Sequence, residues 1–250
     1  MCSNIVAQGA TCGDINTSYT GAVHFGVYLA IWLVTGFIIG SIPFAWIVAR
    51  AKGVNLRAVG SGNVGATNLA RALGWRWGLP VLLLDALKGF LSIIALQACL
   101  AQHPPGYVPA GWYAPLVILV GLAAILGHTY SPWLRFKGGK GVAAGLGVLV
   151  ALMQFWVVAP LAAFALIVGT TRYISVGSIF AGLVAAATIA TVPSLRQYWP
   201  FGVVGCLFVL WTHRENMNRL WAGTENRLGS QKPAATNAPD EDGGADEGGR

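Results

Sequence analysis

The chain has 250 residues, 55% of them hydrophobic and 10% charged, with a formal net charge of +7. A soluble globular domain carries about 25% charged residues, so this composition excludes one and points to an integral membrane protein. The apolar runs are long enough for helices and the short alternating strands of an outer-membrane barrel are absent, so an all-α polytopic membrane fold is predicted.

Residues 1–24 contain no Lys or Arg and therefore lack the basic start of a signal peptide. Residues 1–23 are read as an extracytoplasmic tail. Cys2 and Cys12 lie in it and can pair if it faces an oxidising compartment. The four cysteines form no CxxC pair, which argues against a zinc or redox site, and Cys99 and Cys206 sit in apolar context as packing residues.

The first predicted span covers residues 24–49, the second 77–101 and the third 112–130. Residues 142–171 form one apolar stretch of about 30 residues, longer than the ~20 a single helix needs, with Pro160 inside it. Two more spans follow at residues 175–192 and 198–212. Charge decides whether the long stretch is one helix or two. Arg50, Lys52, Arg57, Arg71 and Arg76 follow the first span, Arg135, Lys137 and Lys140 the third, and Arg214, Arg219, Arg227 and Lys232 the last. The loop after the second span, QHPPGYVPAG, has no Lys or Arg. Basic loops tend to be cytoplasmic, which puts the N-terminus outside, the C-terminus inside, and requires an odd number of crossings. Splitting residues 142–171 gives seven transmembrane helices. Residues 24–227 then form the membrane domain. Residues 228–250, rich in Gly, Ala and acidic side chains, read as a disordered tail.

With sidedness set, the distinctive loops fall on one face. GSGNVGATN, residues 60–68, offers glycine turns and backbone amides that can form an anion-binding nest. A helix starting near Thr67 would add its own N–H groups. Ser61, Asn63, Thr67 and Asn68 supply side-chain donors around Gly62 and Gly65, and Arg71 a fixed charge one turn later. An ordinary interhelical loop with a helix cap fits equally well. The pattern lacks the GK[ST] of a Walker A loop. FKGGKG repeats the idea: Lys137 and Lys140 flank Gly138 and Gly139, a plausible phosphate cradle. A topology signal alone explains the lysines but not the glycine pair. In HRENMNRLWAGTE, His213 and Asn216 share a helix face three residues apart, with Glu215 beside them. His128, before a Tyr-Ser-Pro turn, is read as capping or orienting the lysine loop. Asp85 and Lys88 lie three apart inside the second span, either as an internal ion pair or as substrate contacts.

Taken together, GSIPFAWIVA, LRAVGSGNVGATNLAR, LDALKG, GHTYSPWLRFKGGKGVA and HRENMNRLWAGTE resemble the PlsY-type glycerol-3-phosphate acyltransferases of bacterial inner membranes. The resemblance spans nearly the whole chain apart from the first 25 or so residues and the acidic tail. It implies seven transmembrane helices with a cytoplasmic active site and no cofactor. It also implies transfer of an acyl group from acyl phosphate to the 1-hydroxyl of sn-glycerol 3-phosphate. The products are 1-acyl-glycerol 3-phosphate (lysophosphatidate) and inorganic phosphate, the first step of phospholipid biosynthesis. The resemblance places the acyl phosphate on residues 61–68. It assigns glycerol 3-phosphate to Arg71, Lys140, Ser175 or Ser178, His213 and Asn216, with His213, Lys140 and Asn216 as the catalytic group. RYISVGS carries fewer serines than the family pattern, and the terminal extensions have no counterpart in it.

Two rival classes fit the sequence less well. An acyltransferase with an HxxxxD box is excluded, because the residues five after the four histidines are Leu29, Val108, Trp133 and Asn218. An anion transporter would place its site near the membrane midplane, whereas these polar groups gather at one face. The carboxylates are few and scattered, so no metal is expected. The partners expected are the two substrates and the bilayer; no nucleic acid is expected, and the chain is read as a monomer.

Overall fold

A computed structural model of the chain describes residues 12–103 and 107–229, with side chains described from residue 24 onward. Cys2 and the side chain of Cys12, and with them the expected pairing, lie outside the described residues, as does the acidic tail from residue 230 on. Cys99 and Cys206 are unpaired thiols.

The described residues are all-helical. Ten α-helices follow in chain order: α1 (Cys12–Ser41), α2 (Phe44–Ala51), α3 (Ala66–Leu73), α4 (Trp75–Leu100), α5 (Tyr113–Thr129), α6 (Val142–Met153), α7 (Val158–Thr171), α8 (Ile174–Thr191), α9 (Trp199–Thr212) and α10 (Arg214–Trp221). Five stretches are long and apolar enough to cross a membrane: His24–Ala51, Trp75–Leu100, Tyr113–Leu134, Val142–Thr171 and Ile174–Thr191.

The first of these is not one continuous helix. Pro43 has no N–H and pushes Ile42 out of helical geometry, so α1 ends at Ser41 and α2 restarts at Phe44. The break frees carbonyls beside the buried Ser41, where they need partners. Side chains answer them. Lys88 Nζ donates to Ile42 O at 2.8 Å, and Ser131 Oγ to Ser41 O at 2.7 Å. Trp133 Nε1 donates to Ser41 Oγ at 3.0 Å. Lys88 is thus held by the break and by Asp85, 2.7 Å away.

The long apolar stretch also breaks, though not at Pro160. The interruption is a 3-10 turn at Gln154–Val157, where Gln154 adopts φ 49°. Pro160 sits in the first turn of α7, where its missing N–H is not needed. The halves then part company: α6 packs on α4, and α7 packs on α8.

Helices pack closely within two groups. In the first, α1 lies on α5 and α4 on α6; in the second, α8 lies between α7 and α9. Small residues allow the close approach in the first group. A methyl added at Gly40 would overlap the Ala124 carbonyl, and one at Gly147 would overlap that of Ala86. Without a hydrophobic drive between helices in lipid, such backbone-to-backbone packing is what holds them. A separate apolar cluster of Ala45, Leu56, Val64, Leu69 and Val81 seats the glycine-rich loop and α3 on α4. Between the two groups, contact is thin, and a cavity opens there.

Candidate active site

Asn68 organises the glycine-rich loop. It is 1% exposed. Its Nδ2 donates to Leu56 O (2.9 Å) and Val59 O (3.0 Å), and its Oδ1 accepts from the Ser61 amide at 2.9 Å. Gly60 (φ 58°) and Gly62 (φ 70°) make the turn that brings these carbonyls to one amide. Asn68 therefore braces the loop, and its donors are not free for a ligand. Helix α3 starts at Ala66, one residue before the expected Thr67. Gly65 precedes it and no side chain caps it. Helix starts of this kind attract anions.

The FKGGKG loop folds back on the end of α5. Gly138 N donates to Thr129 O at 2.9 Å and Gly139 N to His128 O at 3.2 Å. A side chain on Gly139 would overlap the His128 ring, and one on Gly138 the His128 carbonyl. Close packing explains this glycine pair. The expected phosphate cradle from these two amides does not form, because both amides are engaged. Lys137 is exposed. Arg57 Nη2 ties the two loops together by donating to Leu134 O and Lys137 O, both at 3.1 Å. Lys140 points the other way and donates to Asn216 Oδ1.

Glu225 is the hub of the third cluster. After α10 the chain reverses at Gly223 (φ 69°), returning Glu225 to Asn216. Its Oε1 accepts from Asn216 Nδ2 at 2.6 Å and from Ser175 Oγ at 3.0 Å. Its Oε2 accepts from Arg219 Nε at 2.8 Å. Burial pushes this carboxyl up, but the hydrogen bonds from Asn216, Arg219 and Ser175 outweigh it and hold the group below its ordinary value. Glu215, the carboxylate expected at the site, is exposed, and Glu225 stands there instead. The available signal was a second carboxylate in a basic segment.

His213 is 3% exposed, and its Nδ1–H donates to Val209 O at 2.8 Å, leaving Nε2 as the acceptor. Burial, reinforced by the Lys140 charge, lowers its pKa to about 4, so the ring is neutral at pH 7. Burial also lowers Lys140 to about 8, with Arg219 adding to the effect and Glu225 and Glu215 opposing it. Burial lowers Arg71 from its ordinary value.

One cavity of about 460 Å³ joins these groups. Ser61, Asn63, Gly65, Thr67, Asn68, Arg71, Lys140, Ser175, Ser178, His213 and Asn216 line its polar mouth, while Gly62, Lys137, Gly138, Gly139 and Glu215 do not. Asp85, His128 and Glu225 also line it. Asp85 Oδ1 lies 3.5 Å from His128 Nδ1. Beyond the mouth the walls are apolar, from Leu122 and Leu149 to Phe164, Ala185 and Phe201. A cationic mouth over an apolar shaft suits a ligand with an anionic head and a greasy chain.

Residues 30–223 match the family described as glycerol-3-phosphate acyltransferase. The chain belongs to the glycerol-3-phosphate acyltransferase family. A relative of that name from Geobacter sulfurreducens is 44% identical over 192 residues, covering 77% of this chain and 93% of its own. One from Thermus thermophilus is 40% identical over 211 residues, covering 82% and 98%. A crystal structure of PlsY, an integral membrane glycerol 3-phosphate acyltransferase, in its glycerol 3-phosphate form superposes with a TM-score of 0.72. It is 36% identical and covers 81% of this chain and 96% of that one. The lysophosphatidic acid form gives 0.70 at 35% identity. The family makes this chain an acyltransferase of a multi-pass bacterial membrane protein class, acting in phospholipid biosynthesis.

Proposed function

We propose that the chain transfers a fatty acyl group from acyl phosphate to the 1-hydroxyl of sn-glycerol 3-phosphate, releasing 1-acyl-glycerol 3-phosphate and inorganic phosphate. It does so as a monomer, without metal or cofactor, at the cytoplasmic face of the inner membrane. In this reading α1 and α4 to α9 make seven crossings, N-terminus outside, C-terminus inside, within a membrane domain of residues 24–227. The basic loops that argue for that sidedness are the ones that build the cavity mouth.

The observation that carries the proposal is one cavity whose mouth holds both the start of α3 and the Arg71 and Lys140 cations, beside an apolar shaft. The acyl phosphate would lay its chain in the shaft and its phosphate at the start of α3, against Ser61, Asn63 and Thr67. Glycerol 3-phosphate would pair its phosphate with Arg71 and Lys140, with Ser178 and Ser175 alongside. The glycerol oxygen attacks the acyl carbonyl carbon, the carbon–oxygen bond to phosphate breaks, and inorganic phosphate leaves. Holding the two reactants together can supply up to ~7–11 kcal/mol in favourable cases. Cations around the departing phosphate stabilise its developing charge.

His213 orients in this mechanism. Its Nε2 lone pair can accept from the attacking hydroxyl. A ring with a pKa of about 4 is a poor proton store, so the proton ends on the departing phosphate, a stronger base.

The test uses purified protein in detergent, with palmitoyl phosphate and glycerol 3-phosphate. Phosphate and lysophosphatidate are measured together, palmitoyl-CoA is run in parallel, and Lys140→Ala is compared with wild type. Turnover with acyl phosphate alone, lost in Lys140→Ala, supports the proposal. Equal turnover with palmitoyl-CoA would refute the donor assignment.

A further inference from the structure

The apolar shaft has a measurable depth and a distinct floor. Along α9 and its C-cap the lining runs from His213 to Phe201, twelve residue steps, or about 18 Å at helical rise. On α8 it runs from Ser175 to Ala185, about 15 Å. The two linings end side by side, since a Cβ on Gly202 would come within 3.3 Å of the Ala186 backbone, and on α7 the lining ends at Pro160.

At that level Phe201 closes the space. It is 3% exposed, and its ring reaches from α9 across to α5, where a methyl on Gly121 would lie 3.6 Å from Phe201 Cε2. Below it lies solid core: Ile189 is fully buried, and Leu195 and Tyr198 nearly so. A chain descending the shaft meets an aromatic face backed by packed side chains.

One turn above the floor, on the same face of α9, stands Gly205. It lines the cavity, and a Cβ added there meets nothing within 4 Å. Gly202 differs, since a Cβ there would come within 3.3 Å of the Ala186 backbone. The missing side chain at Gly205 is therefore open shaft, not helix-to-helix contact. Any larger residue there would project into the chain's path without displacing backbone.

We infer that Phe201 is the floor, and Gly205 the clearance above it, that together set the acyl-chain length this enzyme accepts. The inference rests on the acyl-transfer reading above, and it assigns the specificity to α9 and not to the polar mouth.

The experiment compares wild type, Gly205→Leu and Phe201→Ala. Acyl phosphates from decanoyl to stearoyl are used as donors, and lysophosphatidates of the same chain lengths as ligands in thermal-shift binding. In a hydrophobic pocket one methylene changes selectivity by about 10–200-fold. Gly205→Leu should lose at least about tenfold in kcat/KM on palmitoyl relative to decanoyl, with the KM for glycerol 3-phosphate unchanged. Phe201→Ala should shift the optimum to longer chains. Lysophosphatidate binding should move in the same directions. Unaltered length profiles in both folded variants would overturn the inference. If wild type uses no acyl phosphate, the donor reading fails alone, because the length dependence of lysophosphatidate binding still decides the floor. Phe201→Leu is the milder variant should Phe201→Ala not remain monodisperse.

Discussion

Replacing Glu225 by Gln removes one charge and one acceptor while keeping the side chain's shape. The three donors converging on Glu225 would not be affected equally. Asn216 Nδ2 (2.6 Å) and Ser175 Oγ (3.0 Å) can still donate to the remaining carbonyl oxygen. Arg219, at 2.8 Å from Oε2, would face an amide NH₂ instead. Losing one partner of a buried, hydrogen-bonded charge pair costs about 2–5 kcal/mol. Arg219 has a side chain 27% exposed against 2% for Glu225, so water can replace the lost acceptor. The low end, about 2 kcal/mol of folding stability, is therefore expected, and kcat/KM should fall with the share of Lys140 still charged. The pH profile should change too. Lys140 is lowered to about 8 by burial first, and Glu225 is one of the groups opposing that fall. Its charged form is present below that pKa and is lost as pH rises through it. Activity that needs the Lys140 cation should therefore decline above about pH 8 in wild type, and from a lower pH in Glu225→Gln. The assay is kcat/KM for glycerol 3-phosphate between roughly pH 6 and 9, which reports the free enzyme. Wild-type kcat/KM and an unmoved alkaline limb in folded Glu225→Gln would refute the reasoning.

Asn68→Ala should destabilise the protein by about 1–3 kcal/mol, since one buried and two part-buried backbone groups lose their partner, and should raise the KM for the acyl donor more than for glycerol 3-phosphate; thermal unfolding and two-substrate kinetics check both. Gly147→Leu should separate α6 from α4 and abolish recovery of monodisperse protein, whereas Gly205→Ala, in open space, should not; size-exclusion chromatography in detergent tells them apart. Chelators should leave activity unchanged, because Glu225 already accepts from three donors and Asp85, the other carboxylate lining the cavity, is paired with Lys88; loss in EDTA restored by Mg²⁺ would contradict this.

The helices and the clustering of the four loops were legible because long apolar runs and basic loop residues are local properties of the chain. The breaks were less so. Pro43 carried a signal in the sequence that the length of the first apolar run masked. In the long stretch Pro160 attracted attention, but the interruption depends on the backbone at Gln154, a conformation no residue type announces. Glycines were visible as glycines, while their reasons were not. Gly138 and Gly139 read as a phosphate loop until their amides are traced to the end of α5. Glu225 was hidden because its meaning comes from Ser175, 50 residues away, and from a chain reversal after α10. Asn68 looked like a ligand donor for the same reason, since its acceptors lie nine and twelve residues back.

The shaft is not sealed along its length. Leu126, Leu161 and Val204 line it and also stand exposed on the apolar outer surface, so the chamber has a side window as well as a polar mouth. A product carrying a fatty chain can slide sideways into the bilayer and never surrender its chain to water. Inorganic phosphate, in the proposed reaction, would leave through the polar mouth. In the proposed reaction the two departures would use different doors and different solvents, and the acylated product would be delivered directly into the phase where membrane lipid is built.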